Sequence, residues 1–187
     1  WCNETKELTK IIISPSNKRF IFKDNKYLLG KSDENHNEFD ILLFASRDIK
    51  EISIPSNIKI ISSYAFENCE NLTKIEIPKN SKLQTIGSSA FSNSKIEEIY
   101  FPTNLKELKE GWCNETKELT KIIISPSNKQ FIFKDNKYLL GKNDENNNEF
   151  DILLFASRDI KEIFIPPDIQ IISSYAFENC ENLTKIE

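Results

Sequence analysis

Nucleophilic catalysis by Ser or Cys needs a positioned base, most often His, and this 187-residue chain holds a single one, His36. It lies in an all-polar stretch, residues 32–38, and the matching position of a second, near-identical stretch is Asn147. No Gly-x-Ser-x-Gly, His-Glu-x-x-His, phosphate-loop or dinucleotide fingerprint occurs. The residues therefore point away from an enzyme. The four Cys are two copies of two positions, Cys2/Cys113 and Cys69/Cys180, without a Cys-x-x-Cys. They read as small buried hydrophobes rather than as a disulfide or metal framework. Residues 33–40 and 144–151 are acidic runs with oxygen ligands at alternate positions, which suits Ca²⁺ with its six to eight hard oxygens. Neither run has the Gly of an EF-hand turn or its twelfth-position Glu, so a solvated loop with no metal or cofactor is expected.

The elements that would position any site come from repetition, which has to be read first. Residues 1–76 recur as 112–187, with only seven differing pairs: Arg19/Gln130, Ser32/Asn143, His36/Asn147, Ser53/Phe164, Ser56/Pro167, Asn57/Asp168 and Lys59/Gln170. Inside this 111-residue super-repeat, 1–111 and 112–187, a shorter beat appears. Apolar runs closed by Pro, such as Ile49-Lys-Glu-Ile-Ser-Ile-Pro and Leu72-Thr-Lys-Ile-Glu-Ile-Pro, start near residues 8, 49, 72, 96, 119 and 160. Each reads as a short strand that stops where Pro can no longer donate to a ladder. A second apolar pair follows, then Ser-Ser-Tyr-Ala-Phe or Ser-Ser-Ala-Phe, which predicts a capped single helical or 3₁₀ turn, with Ala65 and Phe66 plugging the coil interior. The units 8–48 and 119–159 carry an extra segment of about 18 residues. Within it residues 18–23 read as a strand, and residues 26–31 and 39–44 as a hairpin around a solvated loop.

Composition sets outer bounds. The chain has 39% hydrophobic and 29% charged residues and only four Gly, which places it among ordered proteins. A net charge of −4 with interspersed signs offers no basic stripe for nucleic acid and no polybasic membrane patch. No apolar run reaches the roughly 20 residues that span a bilayer, so membrane attachment would lie outside this sequence. Trp1 matches Trp112 inside the repeat, there is no Met, and residue 187 falls within a strand pattern. The chain reads as an excised piece.

The unit Leu-x-x-Ile-x-Ile-Pro followed by Ala-Phe-Glu-Asn-Cys, seen at 54/55, 77/78, 65–69 and 176–180, resembles the BspA-like class of leucine-rich repeat. Hairpin-bearing units are similar to those in surface leucine-rich proteins of parasitic protists. The unit 101–119 departs, with Gly111-Trp-Cys113 where others have Tyr-Ala-Phe. The resemblance implies one right-handed solenoid or horseshoe over residues 1–187, an α/β repeat fold rich in strand with short helical turns and inserted β-hairpins. It also implies cell-surface or secreted display and adhesion to host-cell or extracellular-matrix proteins, with no catalytic residues. Independently, each unit can bury its apolar face only against its neighbours.

Strand alternation turns the third and fifth positions of each unit outward. Among the fifth positions Tyr100, Ile123 and Phe164 are consecutive, and strands about 4.8 Å apart make them an apolar column, rimmed by Glu98, Lys121 and Glu162. Such a patch often marks a partner site; the alternatives are that the hairpin folds back and covers it as ordinary core, or that the three residues are a meaningless scatter. Asn3, Asn71, Asn114 and Asn182 begin Asn-x-Thr tripeptides, glycosylation acceptors in a secretory pathway. The alternative function is a structural stalk projecting another domain, and uncapped solenoid ends can drive self-association.

Overall fold

The computed structural model describes residues 2–35, 37–144 and 148–187. His36 and Asn147 lie outside them. In chain order the first copy contributes β1 (Phe20–Lys23), β2 (Tyr27–Gly30), β3 (Ile41–Ala45), β4 (Glu51–Ser53), β5 (Ile60–Ile61) and β6 (Lys74–Glu76). Next come β7 (Thr85–Ile86), β8 (Glu98–Phe101) and β9 (Glu107–Leu108). The second copy repeats the pattern as β10 (Lys121–Ile124), β11 (Phe131–Lys134), β12 (Tyr138–Gly141), β13 (Ile152–Ala156), β14 (Glu162–Ile163), β15 (Ile171–Ile172) and β16 (Lys185–Ile186).

Each short coil therefore has a front strand, a back strand and a turn. Front strands pair in parallel as β4–β6, β8–β10 and β14–β16. Back strands form the runs β3-β5-β7-β9 and β13-β15. Inward Ile52, Ile58, Ile61, Ala65 and Phe66 of one coil share a continuous core with Leu72, Ile75, Leu83, Ile86, Ala90 and Phe91 of the next. The architecture is a β-rich solenoid of the leucine-rich-repeat type. Residues 8–14 form no strand, unlike their copies in β10, because no neighbouring coil is hydrogen-bonded to them.

The expected helical turns are absent: the described residues contain no helix. The reason is visible in the backbone. Tyr64, Asn68, Ser89, Asn93, Gly111, Glu115, Tyr175 and Asn179 all have φ between 52° and 65°, so each turn carries a left-handed residue four positions from the next and no helical i→i−4 bond can repeat. Half of the amides close successive turns, as in Ala65 N–H to Ser62 O (3.2 Å) and Glu67 N–H to Tyr64 O (3.2 Å). The others run along the solenoid, with Tyr64, Phe66 and Asn68 donating to Ser88, Ala90 and Ser92 carbonyls at 3.1, 2.7 and 2.9 Å. The turns thus form a third ladder. Gly87 approaches so closely that a Cβ there would lie 2.3 Å from the Ser63 nitrogen. Gly111 and Trp112 occupy the Tyr64 and Ala65 positions of this ladder, and Cys113 the Phe66 position, since Trp112 N–H closes on Lys109 O as Ala65 N–H does on Ser62 O.

The long coils hold a three-stranded antiparallel meander, β1-β2-β3 and β11-β12-β13, whose third strand is the coil's own back strand. Asp24-Asn25 and Asp135-Asn136, with φ of 52–55°, make the two-residue turn that this twist demands. These coils lack the Tyr-Ala-Phe turn, and side chains bridge the gap that leaves in the third ladder. Arg47, 3% exposed, donates to the carbonyls of Thr5 (3.0 Å) and Cys2 (3.1 Å) in the preceding turn. Its other donors reach Ala65 O (3.2 Å) and Tyr64 O (3.4 Å) in the following turn. Glu67 then accepts from the Glu4 N–H at 2.7 Å, and Glu178 from the Glu115 N–H at 2.8 Å.

At the loop base Asp40 is buried and accepts from Ser32 N–H (2.8 Å), Ser32 Oγ (2.6 Å) and Lys59 Nζ (2.9 Å). Burial alone would raise this carboxyl, but the Ser32 hydroxyl, the Ser32 amide and the Lys59 ammonium together hold it down at about 2. Its folded value lies below its ordinary one, so its stabilisation is complete above about pH 4 and disappears as pH falls toward 2. Asp40→Asn is expected to remove about 2 kcal/mol at neutral pH and to flatten the acid limb of urea-unfolding midpoints measured from pH 5 to 2. In the second copy Asn143 and Gln170 replace Ser32 and Lys59, and Asp151 keeps the backbone bond from Asn143 (2.9 Å). Asp151→Asn should cost less.

Candidate functional site

The front strands carry the outward residues because Ile52, Ile75, Ile99, Ile122 and Ile163 turn inward to the core. Tyr100 and Ile123 stand directly opposite in the β8–β10 register. Tyr100 is half-buried against the core and Ile123 is 37% exposed. One step earlier Glu98 faces Lys121, with Nζ to Oε2 at 2.5 Å. Glu162 faces Lys185 across β14–β16. Phe164, just past β14, is 64% exposed.

No strand pairing joins β10 to β14, so the expected three-residue column divides into the Tyr100–Ile123 pair and a separate Phe164. The meander intervenes between these coils in sequence and belongs to the back sheet, and it leaves Ile123 and Phe164 open. Covered core is therefore not their state. Beside Tyr100 the front sheet is interrupted, because β6 pairs with β4 and β8 with β10. The interruption forms a groove of 630 Å³ lined by Lys74, Glu76, Ile77, Glu98 and Tyr100. Regular patterning of both strands concealed it. Its one sequence signal is the extra residue that spaces the units starting at 72 and 96 by 24 rather than 23.

The chemistry-bearing groups are otherwise occupied in structure. Burial pushes the Cys69 thiol up to about 11 and Cys113 to about 12, the Arg47 and Arg158 guanidiniums opposing it only in part. Cys2 and Cys180 are half-buried and also raised, by burial first. Because the thiolate is the nucleophile, the native chain is expected to leave Cys69 and Cys113 unlabelled by iodoacetamide at pH 8, with all four modified after denaturation. No group of three or more metal-ligating side chains occurs among the described residues. Of the Asn-x-Thr sites, Asn3, Asn71 and Asn182 are exposed. Asn114 is half-buried with an Oδ1 that finds no partner among the described residues, and its Thr116 is buried with its hydroxyl on the Cys113 carbonyl.

The family pattern described as "BspA type Leucine rich repeat region" matches residues 38–139 and 144–187, in six copies. The chain belongs to the BspA-type leucine-rich-repeat family. No curated protein matches it. Among solved structures, this leucine-rich-repeat chain is similar to the pneumococcal vaccine antigen PcpA, with a TM-score of 0.66 and 23% identity over 74% of this chain and 33% of that one. A leucine-rich cell surface protein from Faecalibacterium prausnitzii A2-165 gives 0.62 and 18% identity over 74% and 41%. A leucine-rich-repeat protein from Eubacterium ventriosum gives 0.53 and 22% over 75% and 48%. The likeness is one of fold, and the chain spans less than half the length of each.

Proposed function

We propose that this leucine-rich-repeat chain is a protein-recognition module displayed at a cell surface, binding host-cell or extracellular-matrix proteins through its front face. The observation that carries the reading is the front-face pair of half-buried Tyr100 and exposed Ile123 beside a 630 Å³ groove and the Glu98–Lys121 ion pair. An aromatic anchor next to paired charges is the composition of a recognition patch, with the anchor supplying affinity and the rim orientation. Phe164 and Glu162 add a second contact point one long coil away. The words "vaccine antigen" and "cell surface protein" attached to structural relatives support surface display. A protist parasite as source is proposed on the hairpin-bearing coils. Recognition here works by shape and charge complementarity, without catalysis.

The chain with both Tyr100→Ala and Phe164→Ala is expected to lose at least about tenfold in affinity for immobilised host-cell or matrix protein, since anchor truncations cost about 2 kcal/mol or more. Binding that persists unchanged in a folded double variant would sink the assignment. The stalk reading is favoured by one observation, the near-identity of the copies, because a spacer needs length and tolerates repetition. A parent protein that adheres while this chain binds nothing decides for the stalk.

A further inference from the structure

The four Asn-x-Thr tripeptides are two pairs of copies, Asn3/Asn114 and Asn71/Asn182, and the fold treats the pairs differently. Asn114 sits inside the turn ladder, where its carbonyl accepts from the Asn93 N–H at 3.3 Å and its own N–H donates to the Gly111 carbonyl at 3.0 Å. Its Oδ1 is sealed from solvent. With Trp112, Ser173, Ser174 and Tyr175 it lines a cavity of 30 Å³, which has room for a water or two and none for a sugar ring. The lid is the following turn, whose Tyr175 ring lies 3.4 Å from where a Gly111 Cβ would stand. Thr116, the hydroxyl residue of this tripeptide, is fully buried and donates to the Cys113 carbonyl. Asn3 holds the same place in the first copy, and Thr5 likewise donates its hydroxyl to the Cys2 carbonyl at 2.7 Å.

Asn71 and Asn182 stand at the corner where the turn ladder passes into front strands β6 and β16. Both are exposed, and so are Thr73 and Thr184. The corner is fixed by main chain alone: Leu72 N–H donates to Cys69 O (2.9 Å) and Thr73 N–H to Lys50 O (3.0 Å). The second copy repeats these bonds as Leu183 to Cys180 (3.0 Å) and Thr184 to Lys161 (2.9 Å). A group added to either Asn side chain displaces none of them.

We propose that the folded chain carries N-linked glycans at Asn71 and Asn182 and none at Asn114, which makes one glycan per 111-residue period. The donor is an oligosaccharide on a polyprenyl pyrophosphate. The Asn Nδ2 bonds to the anomeric carbon of the first sugar, the bond from that carbon to the pyrophosphate oxygen breaks, and the amide proton leaves with the pyrophosphate. Transfer precedes folding, so a chain that gains a sugar at Asn114 cannot close Tyr175 over it and is retained by the cell. Thr73 also lines the 630 Å³ groove, which sets the Asn71 sugar at the rim of the recognition surface.

The test directs the whole chain, with Asn3→Gln to silence that copy, into the secretory pathway of cultured insect cells. The secreted protein is treated with peptide N-glycosidase in heavy-oxygen water, which marks each glycan-bearing Asn as labelled Asp for mass spectrometry. Marks are expected at Asn71 and Asn182 and not at Asn114, and Asn71→Gln and Asn182→Gln should each remove one glycan. A peptide of residues 110–118 offered to microsomes of the same cells should accept a glycan, which places the exclusion of Asn114 in the fold rather than in the Asn-Glu-Thr sequence. A marked Asn114 in secreted, cooperatively unfolding protein overturns the proposal. So does an unmarked Asn71 or Asn182, or a peptide that is refused. Occurrence in the native protein rests on the surface display proposed above, whereas this measurement does not: a parent that never leaves its own cytosol would sink display and leave the acceptor pattern standing.

Discussion

Arg47→Ala is expected to destabilise the chain by about 3–5 kcal/mol, because it strips buried carbonyls of a charged donor, and to lower the thermal midpoint by about 10 °C. The guanidinium reaches both the turn at residues 2–5 and the turn at 64–65, and it also lies 4.6 Å over the Phe44 ring. Removing it leaves carbonyls of two coils facing a void. Arg47→Lys keeps the charge but replaces a planar five-donor fork by three donors on a point charge, so it should recover less than half of the loss. Differential scanning calorimetry of the three proteins checks this. A variant within 1 °C of the parent would show that the turn ladder does not need the bridge.

The second large effect centres on Trp112. Trp112→Ala should cost about 3–5 kcal/mol, the usual range for deleting a buried aromatic ring. The indole meets Phe91 at 6.3 Å, Phe101 at 5.6 Å and Phe155 at 6.2 Å, so it joins the short coils to the core of the second long coil. It occupies an alanine position, and the adjoining phenylalanine position holds Cys113: large and small have exchanged places. Combining Trp112→Ala with Cys113→Phe restores the order found at Ala65-Phe66 and Ala90-Phe91, and is expected to regain more than half of the stability. Trp112→Phe should cost less than Trp112→Ala, because it also removes an indole N–H that finds no partner among the described residues. Urea midpoints at constant slope decide among these variants.

The front strands were legible because a Pro follows β4, β6, β8, β10 and β14 within three residues and an inward Ile sits at the centre of each apolar run. Ala65 and Phe66 were legible as interior plugs, and both are fully buried. The turns were misread because Ser-Ser-Tyr resembles a helix cap in composition, while the left-handed φ of Tyr64 or Ser89 leaves no mark on residue type. Asn68, Asn93 and Asn179, recurring at a fixed place after the Phe, were the clue, since Asn tolerates that conformation. Arg47 escaped notice because a lone Arg in a polar run reads as surface. Its significance rests on a deletion, the missing Tyr-Ala-Phe turn of the long coils. Phe164 was placed beside Ile123 by unit counting, which treats every coil as stacked alike, whereas the long coil is bonded differently on its two sides.

That asymmetry has a mechanical consequence. Each short junction carries a back or front ladder together with the turn ladder, whereas the second long coil joins its predecessor by the front strands β8–β10 and its successor by the back strands β13–β15. A bending load there passes through one strand ladder on each side, reinforced by the Ala156 N–H to Ala176 O bond (2.8 Å) and by the Trp112–Phe155 ring contact.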